Sequence, residues 1–444
     1  MFKTFPKGGI HPPENKLTAD RPVVVLPLPQ IVTVTVSQHI GAPAVPVVAK
    51  GDTVRAGQII AAAKGFVSAN VHSPVSGTIA RIEPVVDTSG YRQTAVVIEV
   101  SGDEWADGID LSTTLDKEIR LSREEIVARC LECGIVGMGG ATFPTHVKMG
   151  IPTGKRCDLL IINGVECEPY LTSDHRLMLE KGEEVLTGVS ALMKALNVDK
   201  ALIGIEINKA DAIENLTTLA DGFSGITIQP LKVKYPQGGE KQLIKAVCGR
   251  EVPSGKLPLD VNVVVQNVAT AYAVYEAVQK NKPLVERIVT VTGHGLSNPG
   301  NFKVRIGTPV SALIEAAGGM PGDTGKVVNG GPMMGKALSD INAPVTKGTS
   351  GVVLFRETTS RRAEVTPCIR CTKCTYVCPM GLEPWMLAAS AERGMFDRVE
   401  KGKVTDCIEC GSCAYTCPAK RPLLDYIRLG KSTVMRIIRE RNTK

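Results

Sequence analysis

Eight of the 13 cysteines fall into two runs near the C-terminus. They read Cys368-x-x-Cys371-x-x-Cys374-x-x-x-Cys378-Pro379 and Cys407-x-x-Cys410-x-x-Cys413-x-x-x-Cys417-Pro418. Thiolate is a soft ligand and iron is thiophilic, so cysteine sets of this kind hold cubane clusters. The C-x-x-C-x-x-C spacing lets three thiolates from one turning loop cap three corners of a cube. The cysteine just before the proline ligates the other cluster in two-cluster ferredoxins. The spacing therefore predicts two 4Fe–4S clusters, one on Cys368, Cys371, Cys374 and Cys417, the other on Cys407, Cys410, Cys413 and Cys378. Zinc motifs do not come as eight cysteines in this duplicated order, and disulfides need an oxidising compartment. Cys130, Cys133, Cys157, Cys167 and Cys248 show no secreted framework. Cys130 and Cys133 form a C-x-x-C with no further ligands to name, and they read as buried thiols, as does Cys167.

A second group of residues suited to chemistry sits in loops upstream. Gly134 to Thr145 is a glycine-dense turn before His146 and Lys148. Glycines let backbone N–H groups approach a phosphate, and a helix start favours an anion. The loop is not G-x-G-x-x-G, so no Rossmann fingerprint is present. Taken alone, a tight structural turn explains it equally well. Asn163 to Tyr170, Tyr235 to Lys241 and Gln266 to Thr270 are three further polar loops at strand ends or helix starts. The surrounding pattern predicts strands at Asp158–Asn163, Ala201–Ile207 and Val261–Gln266, with helices at Glu183–Leu196, Lys209–Ala220 and Gly239–Val247. Such alternation gives an α/β layer with a mostly parallel sheet, and ligands of open α/β sheets bind at the carboxyl ends of the strands. The four loops together suggest a nucleotide-shaped ligand.

These loops resemble the FMN and NADH site of the flavin-bearing subunit of respiratory complex I. Met138 and Val165 stand where that family has an arginine and an aspartate. The resemblance implies that Gly137, Gly139, Gly140 and Lys148 hold the FMN phosphate. It also implies that Asn163, Glu166, Tyr235, Gly238, Gly239, Glu240, Asn267 and Thr270 contact the flavin or its ribityl chain. Phe143, Glu168 and Glu240 would lie near the nicotinamide nucleotide. A wider resemblance runs through Phe5–Lys16 (FPKGGIHPPENK), Ser37–Ala44, Lys64–Gly77 (KGFVSANVHSPVSG), Phe143–Lys148, Asn163–Met178 (NGVECEPYLTSDHRLM) and Tyr235–Ile244. With the cysteine runs, these stretches resemble the RnfC/RsxC family of the Rnf-type ferredoxin:NAD oxidoreductases. That family implies an electron-transfer subunit joining NAD(H), FMN and two clusters, coupled by other subunits to Na⁺ or H⁺ transport. It further implies peripheral attachment on the cytoplasmic side of the plasma (inner) membrane, through the other Rnf subunits and a ferredoxin-like cluster-bearing subunit. The alternatives are a soluble flavin/iron–sulfur reductase of the cobalamin-reductase type and a ferredoxin-like scaffold without flavin.

The remaining elements must position these loops. At 444 residues the chain suggests about three domains. Residues 1–110 have short strand-like runs with glycine turns, and resemble biotinyl/lipoyl carrier domains without the Met-Lys dipeptide, which predicts a barrel-sandwich hybrid used for docking. Residues 120–280 form the Rossmann-like FMN/NADH-binding α/β domain. Residues 284–335 resemble a β-grasp (SLBB) module, with strands at Ile288–Gly293 and Phe302–Ile306 and a helix at Val310–Ala317. Asn329–Gly335 is a turn of unknown use, and residues 336–366 read as a linker. Residues 360–425 carry the clusters in an α-helical ferredoxin domain, with one helix expected over Pro384–Glu400. The fold class is thus multidomain α/β plus β.

The net charge of +7 is concentrated in the last 25 residues, where eight basic side chains face only Asp425 and Glu440. This basic tail, residues 426–444 and the positions just before it, suits an acidic partner, an anionic membrane face or a solvated helix end. With Tyr426 its only aromatic, it does not suit nucleic acid. The first nine residues do not read as a secretory leader. The longest apolar stretch, Val23–Val36, is broken by Pro27 and Pro29, so no run reaches the roughly 18 residues of a membrane span.

Overall fold

A computed structural model describes residues 2–442. The first unit is a sandwich of two small sheets. One orders Ile31–Thr35, Arg92–Gly102, Ser76–Val86 and Thr53–Val54; the other orders Val45–Pro46, Ile59–Ala62 and Val71–His72. Val32, Val34, Ile60, Ile79 and Ile98 point inward and are fully buried, as period-two strands over one core require.

The second unit is a four-stranded parallel sheet in the order Ile226–Leu231, Ala201–Glu206, Leu159–Asn163, Val263–Asn267. Each predicted strand and helix is present within two residues of its expected ends. Helices Gly182–Leu196 and Val268–Lys280 cover one face. They approach so closely that a Cβ on Gly188 would strike the Ala271 carbonyl. Glu240–Cys248 covers the other face with Leu243, Ile244 and Val247. Asn163 and Asn267 pair in register, so both strands end at one level.

The third unit corrects two boundaries. Its six-stranded sheet orders Val23–Val25, Gly300–Arg305, Glu286–Gly293, Gly351–Arg356, Thr324–Asn329 and Lys336–Ala337. Gly351–Arg356 is an internal strand, between Glu286–Gly293 and Thr324–Asn329, within the stretch expected to be a linker. Its run GVVLF lies beyond a glycine- and threonine-rich segment, which hides its long-range pairing. Val23–Val25 adds in parallel beside Gly300–Arg305, although it precedes the sandwich in sequence.

The cysteine-bearing unit is helical. The single helix expected over Pro384–Glu400 is two, Pro384–Glu392 and Phe396–Lys401, broken where Gly394 takes a φ of +68°. The basic tail is not a separate segment. Leu423–Asn442 is one helix that buries Leu423, Ile427 and Val434 against this unit, while Thr443 and Lys444 lie outside the described residues. Gly430 permits the packing, since a Cβ there would stand 3.0 Å from Ala391 and Val399. No helix among the described residues is long and apolar enough to cross a membrane.

Candidate flavin and iron–sulfur sites

The glycine loop follows helix Arg123–Glu132, which starts with a Ser122/Glu125 capping box. Gly137 N donates to the Phe143 carbonyl at 2.8 Å and closes the loop. Met138 N donates to Thr270 Oγ1 at 2.9 Å, and Asn267 caps the helix on which Thr270 sits. The two predicted loops are therefore in contact. Gly139 has to be glycine, because a Cβ would come within 2.9 Å of the Asn267 side chain. Gly140, at φ +152°, meets nothing within 4 Å and leaves open space. Lys148 Nζ bonds the Val265 carbonyl at 3.0 Å and Glu240 at 2.9 Å, joining the loop to the start of helix Glu240–Cys248.

The Asn163 loop is built around buried charge. Asn163 Nδ2 donates to the Gly238 carbonyl at 2.9 Å, and Gly238 N donates to Cys167 Sγ at 3.3 Å. Cys167 is thus a packing thiol, and burial pushes its pKa up. Glu166 has a φ of +44° and directs its carboxylate at Asp174 N (2.7 Å) and His175 N (3.1 Å). It anchors the start of helix Ser173–Glu180, so its part in a ligand site is to hold the loop. Glu168 accepts from Met334 N at 2.8 Å and Met333 N at 3.1 Å. Burial pushes its pKa up to about 7, and those two N–H groups oppose the rise. The Asn329–Gly335 turn therefore has a use: it seats Glu168, and a Cβ on Gly331 would collide with that carboxylate.

Three charged residues were not picked out by sequence reasoning. Lys16 crosses from the N-terminal arm to the carbonyls of Glu166, Glu168 and Leu171 at 2.8, 2.9 and 2.7 Å, and burial lowers its pKa to about 8. Asp174 accepts from Asn267 Nδ2 at 2.8 Å; burial, then repulsion from Glu166, raises its pKa to about 7. Arg287 arrives from the β-grasp sheet and donates to the Met138 carbonyl at 2.7 Å. It thus brings a cation under the loop that lacks arginine at position 138. An arginine inside the apolar strand run RIVTV was the only signal. Buried polar atoms without partners surround the same loops, namely Gln237 Nε2, Gln266 Nε2 and Arg287 Nη1. Open space at Gly140 and these unmet donors fit a polar, phosphate-bearing ligand such as FMN.

The two cysteine runs share one backbone pattern. Arg370 and Thr372 flank Cys371 in the left-handed region, as Glu409 and Gly411 flank Cys410. Gly381 and Lys420, each three residues past the last cysteine of a run, do the same. Non-glycine residues in this region cost about 1 kcal/mol or more each, so the shape is imposed on both runs. Cys378 lies within electrostatic reach of Cys407, Cys410 and Cys413, and Cys417 within reach of Cys374. Burial, then the neighbouring thiols, pushes Cys407 up to about 11. No three His, Cys, Asp or Glu side chains converge on a single-ion point among the described residues. Cys130 and Cys133 are buried free thiols, as expected.

The two sites touch. Tyr235 Oη, 2% exposed as a residue, donates to the Cys410 carbonyl at 2.8 Å. Gln242 Nε2 reaches Met380 Sδ at 3.2 Å, and Gly9 N on the N-terminal arm donates to the Val377 carbonyl at 2.9 Å. The Cys407 set is the inner one. Cys368 and Cys371 are exposed at the surface, with Ile369 and Tyr376 beside them.

Comparisons with known proteins agree with this architecture. Family models match an RnfC barrel sandwich hybrid domain over residues 3–103, the Nuo51 FMN-binding domain over 130–276, an SLBB domain over 288–337 and a 4Fe-4S dicluster domain over 361–418. Three relatives are the corresponding subunits of bacterial oxidoreductase complexes. The chain is 46% identical to that of the proton-translocating ferredoxin:NAD(+) oxidoreductase complex of Clostridium ljungdahlii, covering 97% of this chain and 94% of that one. It is 45% identical to that of the Na(+)-translocating ferredoxin:NAD(+) oxidoreductase complex of Acetobacterium woodii, covering 97% of each. The counterpart in the ion-translocating oxidoreductase complex of Rhodobacter capsulatus is 41% identical, covering 89% of this chain and 76% of that one. Among solved structures, an NAD⁺-reducing NiFe-hydrogenase in the air-oxidized state shares the fold at a TM-score of 0.52 and 17% identity, over 73% of this chain and 69% of that one. The chain belongs to the RnfC family, whose members are subunits of ion-translocating ferredoxin:NAD oxidoreductase complexes.

Proposed function

We propose that this chain is the NAD(H)-reactive, peripheral subunit of an ion-translocating ferredoxin:NAD oxidoreductase, carrying FMN and two 4Fe–4S clusters. A flavin supplies the junction between the two-electron chemistry of a nicotinamide and the one-electron chemistry of iron–sulfur clusters. The protein contributes position. Gly137, Gly139, Gly140 and Lys148 are assigned to the phosphate. Asn163, Glu166, Tyr235, Gly238, Gly239, Glu240, Asn267 and Thr270 frame the flavin. Phe143, Glu168 and Glu240 face the nicotinamide nucleotide. Cys407, Cys410, Cys413 and Cys378 hold the inner cluster; Cys368, Cys371, Cys374 and Cys417 hold the outer one.

The observation that carries this reading is the Tyr235–Cys410 hydrogen bond, which sets the inner cysteines directly against the flavin loops. The exposed outer set, flanked by Arg370 and Lys373, suits a partner that carries a cluster of its own on an acidic surface. Ion transport belongs to other subunits, and attachment to the cytoplasmic face of the plasma membrane runs through them. The deciding experiment is reconstitution of the full chain with iron, sulfide and FMN. About eight irons and one flavin per chain, with absorbance bleached by NADH, are expected. Full iron loading without flavin uptake would leave a ferredoxin-like scaffold instead.

A further inference from the structure

The sandwich domain sends one hairpin tip, residues 64–70, into the flavin domain. The tip is fixed by more bonds than a surface loop requires. Ala63 N donates to Asn70 Oδ1 at 2.9 Å and Lys64 N to Ser68 Oγ at 3.0 Å. Ala69 is fully buried in the flavin domain's core and donates from its backbone to His39 Nε2 at 3.1 Å. Lys347, from the β-grasp unit, is 1% exposed and bridges the carbonyls of Asn70 (2.8 Å) and Gly134 (2.7 Å). Three domains thus clamp the tip to the first residue of the glycine loop.

At the end of this clamped tip, Phe66 is left 75% exposed. A single exposed phenylalanine is ordinary on its own. This one is held beside the nucleotide loops: it sits on the tip whose Asn70 carbonyl lies against Gly134 at the start of the glycine loop. Gly348, next to Lys347, lies against Thr142 on the other side of the same turn.

We propose that Phe66 is a nucleotide-binding residue contributed by the sandwich domain, stacking on the adenine of NAD(H) at the entrance to the flavin loops. With the backbone already held, an aromatic face binds a base at the ordering cost of one side chain, and stacking on one base is worth roughly tenfold or more in affinity. The inference rests on the function proposed above.

The test uses the full chain loaded with FMN and clusters, with ferricyanide as electron acceptor. NADH is compared with reduced nicotinamide mononucleotide, which lacks the adenylyl half. Phe66→Ala should raise KM for NADH about tenfold and leave KM for the mononucleotide and both kcat values unchanged, while Phe66→Trp keeps the wild-type KM. Equal KM values for wild type and Phe66→Ala, or equal losses with both substrates, would overturn it. So would normal kinetics combined with loss of association with the membrane subunits, which would make the tip a protein contact. A wild-type chain that oxidises neither nucleotide would remove the parent reading instead.

Discussion

Lys347 offers a quantitative test of how the three domains are joined. Its ammonium is buried among carbonyls with no carboxylate beside it, and burial lowers its pKa from 10.5 to about 7. At about 1.36 kcal/mol per pH unit, the burial penalty is bounded at about 5 kcal/mol. The folded pKa is depressed, so between pH 7 and 10.5 the unfolded chain binds more protons and stability rises with pH. Below pH 7 the penalty is present in full; above 10.5 it is gone. Lys347→Met keeps the volume and removes the charge, but leaves the Asn70 and Gly134 carbonyls unmet, a loss of about 3 kcal/mol for the two. The variant should therefore be more stable than wild type by about 2 kcal/mol at about pH 6 and less stable by about 3 kcal/mol above about pH 10. At roughly 2 °C per kcal/mol for a unit of this size, the difference in melting midpoint should swing by about 10 °C and change sign across the window. Scanning calorimetry of both proteins across that pH range reads this directly. Midpoints that stay parallel across the range would show that Lys347 does not change protonation on unfolding, and the account of a buried amine would fail.

Other perturbations have equally definite outcomes. Cys378→Ala should abolish the same cluster signal as Cys410→Ala, and Cys417→Ala the same signal as Cys371→Ala, each leaving about four irons per chain. Electron paramagnetic resonance that pairs Cys378 with Cys371 would reverse the assignment. Gly139→Ala drives a methyl into the Asn267 side chain at 2.9 Å, so FMN affinity should fall at least about tenfold, with iron content unchanged. Tyr235→Phe leaves the buried Cys410 carbonyl without its donor and should lower stability by about 1–3 kcal/mol, read as a lower urea midpoint for the cluster unit. Glu168→Gln removes a group raised to about 7. A raised carboxyl makes wild-type stability fall as pH rises from about 4.5 to 7, and the variant should lose that part of the slope.

The sequence discloses most of what rests on local pattern. The parallel sheet follows from apolar runs of strand length separated by amphipathic helices, and the 4Fe-4S dicluster domain over residues 361–418 follows from cysteine spacing. What it conceals depends on contacts far apart in the chain. Gly351–Arg356 pairs with strands that begin 65 and 27 residues earlier, at Glu286 and Thr324, so no local signal separates it from a linker. Lys16, Asp174 and Arg287 were legible as residues but not as a charge cluster, because they come from three different domains and meet only around the Glu166 loop. The Asn329–Gly335 turn has no visible purpose until its Met333 and Met334 amides are placed on Glu168. Lys431 gives the opposite error: a cation that reads as part of a free basic tail donates to the Cys407 carbonyl at 2.7 Å and pairs with Glu409 at 3.0 Å.

That last contact bears on why two runs with one backbone need not hold equivalent clusters. The inner run is enclosed by Tyr235, Ile408 and the Leu423–Asn442 helix. The one carboxylate among its own residues, Glu409, is matched by Lys431 and by Arg428 at 3.2 Å. The outer run has Arg370 and Lys373 between its cysteines and no carboxylate among its own residues, with two of its thiols open to solvent. Exposure and nearby positive charge both favour the reduced, more negative state of a cluster. The outer cluster should therefore have the higher potential, and the gap should narrow when Arg370 and Lys373 are replaced by glutamine. Potentiometric titration of the two paramagnetic signals measures it. An unchanged gap in the double variant would mean that hydrogen bonds to sulfur, such as Leu382 N to Cys378 Sγ at 3.3 Å, and not charge, set the order.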